Sequence, residues 1–137
     1  MRLRERHAVV RGAFTLMEIL VVMAIIVVLA GASIPIYMTY LENSRKDKAK
    51  TDCKHTLMIS ADAYKLRYGE YPATLDALTQ MRPDGSSPDL KPENLIDPWG
   101  HPYQYAYPGQ HNAAYGQPDI WSLGPRMGDP NGIIGNW

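Results

Sequence analysis

Residues 14–38 read Phe-Thr-Leu-Met-Glu-Ile-Leu-Val-Val-Met-Ala-Ile-Ile-Val-Val-Leu-Ala-Gly-Ala-Ser-Ile-Pro-Ile-Tyr-Met and contain one charged side chain, that of Glu18. At ~1.5 Å per helical residue, this run is long enough to cross the ~30 Å hydrocarbon core of a bilayer. It therefore predicts a single-pass membrane helix. An ionised side chain inside such a helix costs about 2.5–3.5 kcal/mol on insertion scales, so we expect Glu18 to have a partner and a function.

The charges around this run indicate its orientation. Arginines at positions 2, 4, 6 and 11 precede the apolar residues, which predicts a cytoplasmic N-terminus and a translocated C-terminal part. Over the whole chain, 14 acidic and 14 basic residues balance, so no global field points to nucleic acid as a partner. The charged residues between positions 42 and 54 are interpreted as the solvated face of a helix.

Apolar and small residues continue at helical spacing beyond Pro35, as far as Tyr64. Pro35 lacks an N–H group and is predicted to kink or locally melt the helix. Gly69 is predicted to cap the C-terminus of the helix. Thr74 is then predicted to cap a short second helix that ends near Leu78.

The remaining chain alternates loops with strand patterns. Residues 82–92 are rich in Pro, Gly, Ser and Asp and predict an exposed loop. Residues 97–107 combine a turn with an aromatic strand, and residues 119–123 fit a second strand that would pair with it antiparallel. The aromatic residues of these segments are predicted to form the core: Trp99, Tyr103, Tyr105, Tyr107 and Trp121. Residues 124–135 predict a closing loop.

The segment Gly12-Ala13-Phe14-Thr15-Leu16-Met17-Glu18 resembles the leader-cleavage site of the type IV pilin and pseudopilin superfamily. Its small residues come before the apolar run, the reverse of a secretory signal. The resemblance implies that a prepilin peptidase removes residues 1–13 as a basic leader and methylates Phe14. A cut after Gly12 is the alternative, but a cut after Ala13 puts Glu18 and Pro35 at the spacing of that superfamily. The resemblance also implies that Glu18 pairs with the freed amino group of Phe14, on its own or a neighbouring subunit, during assembly. The alternative is that the Glu18 side chain reaches the cytoplasmic headgroups.

Motifs in the C-terminal half narrow the resemblance to one family within this superfamily. It carries Asp-Pro-Trp-Gly-x-Pro-Tyr-x-Tyr from position 97, Pro-Gly-Gln-His from 108, Asp-Ile-x-Ser-Leu-Gly from 119 and Asn-Trp at 136. This set is similar to the major pseudopilins of type II secretion systems. The resemblance implies an α+β, pilin-like fold, in which a long N-terminal helix with a transmembrane half (residues 14–38) and an amphipathic half packs on a small antiparallel sheet. Residues 39–137 would be a periplasmic globular domain.

The same resemblance implies a structural role at the inner membrane. The protein would be a homopolymer that forms a periplasmic filament and helps to export folded proteins through the outer membrane. Its partners would be minor pseudopilins, the prepilin peptidase and an inner-membrane assembly platform. Two alternatives stay open: a type IV pilus subunit for adhesion, motility or DNA uptake, and an anchored binding module that never polymerises.

Calcium is the cofactor that this family implies, in the loop before the closing tryptophan. Here Leu123, Asp129 and Asn131 are the candidate ligands, but Pro125-Arg126-Met127 and Ile133-Ile134-Gly135 stand where acidic residues are expected. One carboxylate supports weak binding at best.

No sequence pattern predicts an enzyme. The chain has no nucleophile elbow or phosphate-binding loop, and its histidines lack ligand spacing. Cys53, the only cysteine, is predicted to be a buried helix residue with no reactive role.

Overall fold

The computed structural model describes residues 14–137, which fall into two compact units, one ending at Thr39 and the other spanning Tyr40–Trp137. Helix α1 comprises Leu16–Thr51, a π-helical turn covers Asp52–Thr56, and helix α2 comprises Leu57–Tyr68. Gly69 closes α2 with φ +87°, and its N–H donates to the carbonyl of Lys65 at 2.8 Å. The predicted helix end and its glycine cap are confirmed.

The π-helical turn has a packing reason. Ala49, Cys53, Leu57 and Ala61 follow one another at a strict spacing of four, and all are fully buried. In a regular α-helix each step of four residues rotates by about 40° around the axis, so the fourth residue would drift off the buried face. One wider turn with i→i+5 bonding takes up that rotation. The turn therefore keeps these four side chains directed into one core. The prediction that Cys53 is buried is confirmed.

The sheet has three short antiparallel strands in the order β1-β2-β3: β1 Gln104–Ala106, β2 Asp119–Ser122 and β3 Ile134–Gly135. Tyr105 pairs with Ile120, and Ser122 pairs with Ile134. The two predicted strands and their antiparallel pairing are confirmed. The prediction that residues 124–135 are all loop is wrong at its end, because Ile134 and Gly135 pair with β2.

The second half of the helix packs on this sheet through one hydrophobic core, as the predicted α+β fold requires. Its members come from the helix, from the loops and from the strands: Cys53, Leu57, Met58, Ala61, Tyr71, Leu75, Leu78, Leu90, Tyr103 and Ile120. Tyr103 is buried and donates its hydroxyl to Asp52 Oδ2 at 2.9 Å. Burial raises the pKa of Tyr103, and the bond to the Asp52 carboxylate adds to that rise.

The other predicted core aromatics are less buried. Tyr105 packs against the core and donates its hydroxyl to the carbonyl of Pro72 at 2.7 Å. Trp99 and Trp121 are half-buried, and Tyr107 is 45% exposed. The prediction is wrong for Tyr107 because it follows the end of β1, and its ring contacts Tyr71 at 5.1 Å near the surface.

One further prediction needs correction, and the predicted exposed loop 82–92 is confirmed for most of its residues. Leu75–Thr79 is a short 3-10 helix, and Thr74 makes no capping hydrogen bond. In the predicted exposed loop 82–92, Asp89 lies between Arg67 and Arg82, with contacts of 2.7 Å and 2.5 Å to their guanidinium groups. These bonds, the Arg67 bond first, outweigh burial and lower the pKa of Asp89. The ion pairs attach this loop to α2 and place Leu90 in the core.

Candidate functional site

Helix α1 presents an apolar surface that no described residue covers. The continuous helical stretch Leu16–Tyr68 contains a window with mean hydropathy 2.9, none of which is buried. Every residue from Phe14 to Tyr40 is exposed. By length and composition the helix can cross a membrane. A surface of this kind is stable only where lipid or other apolar helices cover it.

The helix begins with a capping box formed by Thr15 and Glu18. Thr15 donates its backbone N–H and its hydroxyl to Glu18 Oε2, at 2.8 Å and 3.1 Å. In return, the Glu18 N–H donates to Thr15 Oγ1 at 3.2 Å. This reciprocal arrangement satisfies donors of the first helical turn and places the carboxylate at the positive end of the helix dipole. Glu18 therefore has a partner inside its own chain.

Thr15 is a residue that the sequence reasoning missed. It carries the side chain that holds Glu18, yet only Phe14, Glu18 and Pro35 were predicted as assembly residues. The signal was available, because a threonine followed three residues later by a glutamate before an apolar run is the pattern of a capping box.

Phe14 and Glu18 lie at the same end of the helix. Both line a shallow apolar depression together with Met17, Val21 and Val22. Gly12 and Ala13 lie outside the described residues, so cleavage between Ala13 and Phe14 and methylation of Phe14 stay predictions.

Pro35 lies inside helix α1, whose backbone remains α-helical on both sides. Ser33 Oγ donates to the carbonyl of Leu29 at 2.8 Å, and Thr39 Oγ1 donates to the carbonyl of Pro35 at 3.1 Å. Each of these side chains bonds the carbonyl four residues before it, and neither bonds the carbonyl of Gly31, which loses its helical donor at Pro35. The helix does not melt at Pro35, and a bend there stays a prediction.

The candidate calcium ligands Leu123, Asp129 and Asn131 occupy one loop. Asp129 Oδ1 accepts the N–H of Asn131 at 3.0 Å, and this bond starts the 3-10 helix Pro130–Gly132. Within residues 14–137, no three His, Cys, Asp or Glu side chains are grouped so that they could hold a metal. The loop offers one carboxylate, whereas calcium sites usually have several.

The closing Asn136 belongs to a buried hydrogen-bond network. Its Oδ1 accepts from Asn112 Nδ2 at 3.0 Å and from the N–H of Ile120 at 3.1 Å. Its Nδ2 donates to the carbonyl of Pro118 at 3.0 Å. Trp137 then stacks on the ring of His111 with 3.9 Å between centroids. The Asn-Trp motif therefore holds the end of the chain against β2.

These features define a class of protein. An exposed apolar helix begins with a capped glutamate, continues into a small domain, and packs there on a short antiparallel sheet. This is the architecture of a pilin-like subunit with one membrane anchor.

Comparisons with known proteins identify the family. The family described as "Type II secretion system (T2SS), protein G" matches residues 36–136. The "Type II secretion system core protein G" of Dickeya chrysanthemi is 38% identical over 134 residues, which cover 90% of this chain and 84% of that protein. The protein of the same description from Klebsiella pneumoniae is 37% identical, with 90% and 92% covered. That of Pseudomonas aeruginosa is also 37% identical, with 93% and 95% covered.

The chain belongs to the type II secretion system protein G family. It is a pseudopilin, and the predicted resemblance is confirmed. The family is a structural one within the secretion machinery. Among residues 14–137, one helix is long and apolar enough to cross a membrane, and it fits an anchor in the inner membrane.

Proposed function

We propose that the chain is cleaved between Ala13 and Phe14 by a prepilin peptidase, methylated at Phe14, and polymerised into a helical periplasmic filament. The filament helps to export folded proteins through the outer membrane. Before assembly the subunit crosses the inner membrane once, with its N-terminus in the cytoplasm. Its partners are further copies of itself, minor pseudopilins, the peptidase and an inner-membrane assembly platform. Membership of the type II secretion family supports this proposal.

The observation that carries the proposal is the state of the Glu18 carboxylate. Oε2 accepts both Thr15 donors, whereas Oε1 has no hydrogen-bond partner among the described residues. Cleavage after Ala13 would turn the Phe14 nitrogen into a free amine at the same end of the helix. Oε1 is then available to the Phe14 amine of a neighbouring subunit, while Thr15 continues to orient the carboxylate.

Because the surrounding helix surface is apolar, the ion pair between Glu18 and the Phe14 amine can select one register between neighbouring helices. The surface from Phe14 to Tyr40 is exposed and apolar, so neighbouring helices could slide along one another without preference. An ion pair of about 4 Å is several times stronger in an apolar bundle than in water. A single pair near the helix start therefore favours one register. Contacts of this kind are heterologous and do not close, so they generate a helical filament.

The second half of the helix offers another surface for contact between subunits. Ile59 is 64% exposed and Leu66 is 89% exposed. Their spacing of seven places them on one face of α2, while Leu57 and Ala61 are buried in the core. An exposed leucine on a folded domain is consistent with a surface that a neighbouring subunit covers.

The test separates the charge of Glu18 from its capping role. Glu18→Gln keeps a side-chain oxygen for Thr15 but removes the charge, and Thr15→Val removes the hydroxyl but keeps the charge. Filaments sheared from cells are measured by electron microscopy and immunoblotting, and membrane insertion is measured by fractionation. We expect both variants to insert normally, Glu18→Gln to abolish filaments, and Thr15→Val to reduce them about tenfold or less.

Normal filaments from Glu18→Gln would contradict the ion pair. Ser33→Ala is the matched control, because it removes an intrahelical hydrogen bond from the same apolar surface without touching Glu18. It should assemble as the unchanged protein does.

A further inference from the structure

We infer that the closing loop, residues 123–136, is fixed by protein contacts alone, among them a hydrogen-bonded latch, and does not hold the calcium ion of its family. The latch comprises Asp97, Ser122 and Gly124. The inference depends on the geometry of the globular domain and not on whether the subunit forms filaments.

The side chains of the loop that carry oxygen atoms are unlike those of a calcium site. Calcium takes six to eight oxygen ligands at 2.3–2.6 Å, usually with several carboxylates. Between Leu123 and Asn136 the only side chains with oxygen atoms are Asp129 and Asn131. Asp129 Oδ1 is already bonded to the N–H of Asn131, and Arg126 brings a positive charge into the same loop. This set supplies one carboxylate, fewer than a calcium site usually has.

The latch starts from a buried carboxylate outside the loop. Asp97 is buried, and its Oδ1 accepts the N–H groups of Trp99 and His101 at 3.0 Å and 2.8 Å. Its Oδ2 accepts the hydroxyl of Ser122, also buried, at 2.6 Å. Ser122 Oγ in turn accepts the N–H of Gly124 at 2.9 Å. This chain of bonds fixes the position at which the loop leaves β2.

The backbone at Gly124 lies close to the backbone at Gly132, and this contact fixes the returning end of the loop. Gly124 has φ +72°, and a Cβ atom there would lie 2.1 Å from the carbonyl oxygen of Gly132. The returning chain then pairs with β2 as strand β3, and the Ile134 carbonyl accepts a weak bond from Cys53 Sγ at 3.6 Å. Both ends of the loop are therefore held by the domain itself.

The consequence is a domain whose stability is independent of calcium. A ligand that binds only the folded state raises the melting temperature as its concentration exceeds its Kd. Calcium at ten times its Kd would raise the Tm of a domain of this size by several degrees, roughly 5–10 °C. Without a site, no such shift occurs. The latch itself stabilises the folded loop, so its loss should lower the Tm.

The experiment uses the full chain in detergent. Thermal unfolding is followed by tryptophan fluorescence, since the three tryptophans, Trp99, Trp121 and Trp137, lie in the globular domain. Each protein is measured with 1 mM EGTA and with 5 mM calcium chloride. We expect the Tm of the unchanged chain to agree within about 1 °C between the two conditions. Ser122→Ala should lower the Tm by about 5 °C or more, because it leaves Asp97 and Gly124 without a buried partner.

Ser87→Ala is the matched control, because Ser87 is exposed, and it should leave the Tm unchanged. A calcium-dependent rise of several degrees in the unchanged chain would overturn the inference. A Ser122→Ala variant as stable as Ser87→Ala would overturn the latch. If Ser122→Ala does not fold, the latch is supported, and the calcium comparison on the unchanged chain still decides the absence of a site.

Discussion

At the scale of single residues, Asp119 shows how a buried charge organises the C-terminal half. It is 2% exposed at the start of β2. Its two oxygens accept backbone N–H groups from Gln110, His111 and Asn112 at 2.7–3.0 Å, and side-chain bonds from His111 and Asn112. Burial alone would raise the pKa of Asp119, but these hydrogen bonds outweigh it, and the net pKa is lowered.

A carboxyl whose pKa is depressed in the folded state stabilises the protein above its unfolded pKa, about 3.9, and loses that contribution as the pH falls below it. We expect Asp119→Asn to lower the free energy of unfolding by about 2 kcal/mol at pH 7 and by much less at pH 3. Urea unfolding at both pH values measures the difference. Asp76→Asn, at an exposed position, is the control. A deficit that is the same at both pH values would contradict the role of the charge.

Alanine substitutions at Gly124 and Gly128 distinguish the cost of backbone strain from the cost of steric overlap. Both have positive φ, but only Gly124 lies against another backbone segment, whereas a Cβ at Gly128 would meet open space. Gly128→Ala should cost about 1–2 kcal/mol of stability from its backbone conformation. Gly124→Ala should cost at least about 2 kcal/mol more, because Gly132 must move. Chemical denaturation measures both losses of stability. Equal losses would contradict the close contact between the backbones at Gly124 and Gly132.

At the scale of elements, the long helix was predictable, and its π-helical turn was not. The period of apolar residues and Gly69 located the helix and its end. The strict spacing of four from Ala49 to Ala61 was visible in the sequence. However, a rule based on 3.6 residues per turn tolerates that spacing over a short stretch, and only the packing shows that the winding changes.

The short strand β3 was missed for a related reason. Two residues, one of them glycine, give no alternating pattern. A Cβ at Gly135 would lie about 2.5 Å from the ring of Trp137, so a larger residue there would displace that ring. That requirement depends on the return of the chain to β2, which is a tertiary contact and leaves no local signal.

The exposed face of α2 leads to a prediction about assembly. Leu66→Ala removes apolar surface from a fully exposed position, so we expect the free energy of unfolding to change by no more than about 0.5 kcal/mol. We expect filament yield to fall severalfold, since the position is available to a neighbouring subunit. Thermal unfolding and filament shearing measure the two effects. Gln80→Ala, also exposed, is the control, and an unchanged yield from Leu66→Ala would show that this face is not a contact.

At the scale of the whole molecule, the chain combines an apolar helix, whose surface must be covered by lipid or by other helices, with a globular domain that has its own hydrophobic core. The fold class and the family followed from the sequence because the leader pattern, the apolar run and the aromatic C-terminal motifs are local and specific. The capping box follows a local pattern and could have been predicted in the same way. The bond from Ser122 to Asp97 and the ion pair between Arg67 and Asp89 join residues that are distant in the sequence, so packing sets them and no single stretch of sequence encodes them.

The mass of the protein purified from membranes tests the central claim most directly. If the chain is a processed pseudopilin, the mass in a strain with an active prepilin peptidase will correspond to residues 14–137 plus one methyl group. The same strain without the peptidase will give residues 1–137, with or without the initiator methionine. A chain that keeps residues 1–13 in the presence of the peptidase would contradict the account.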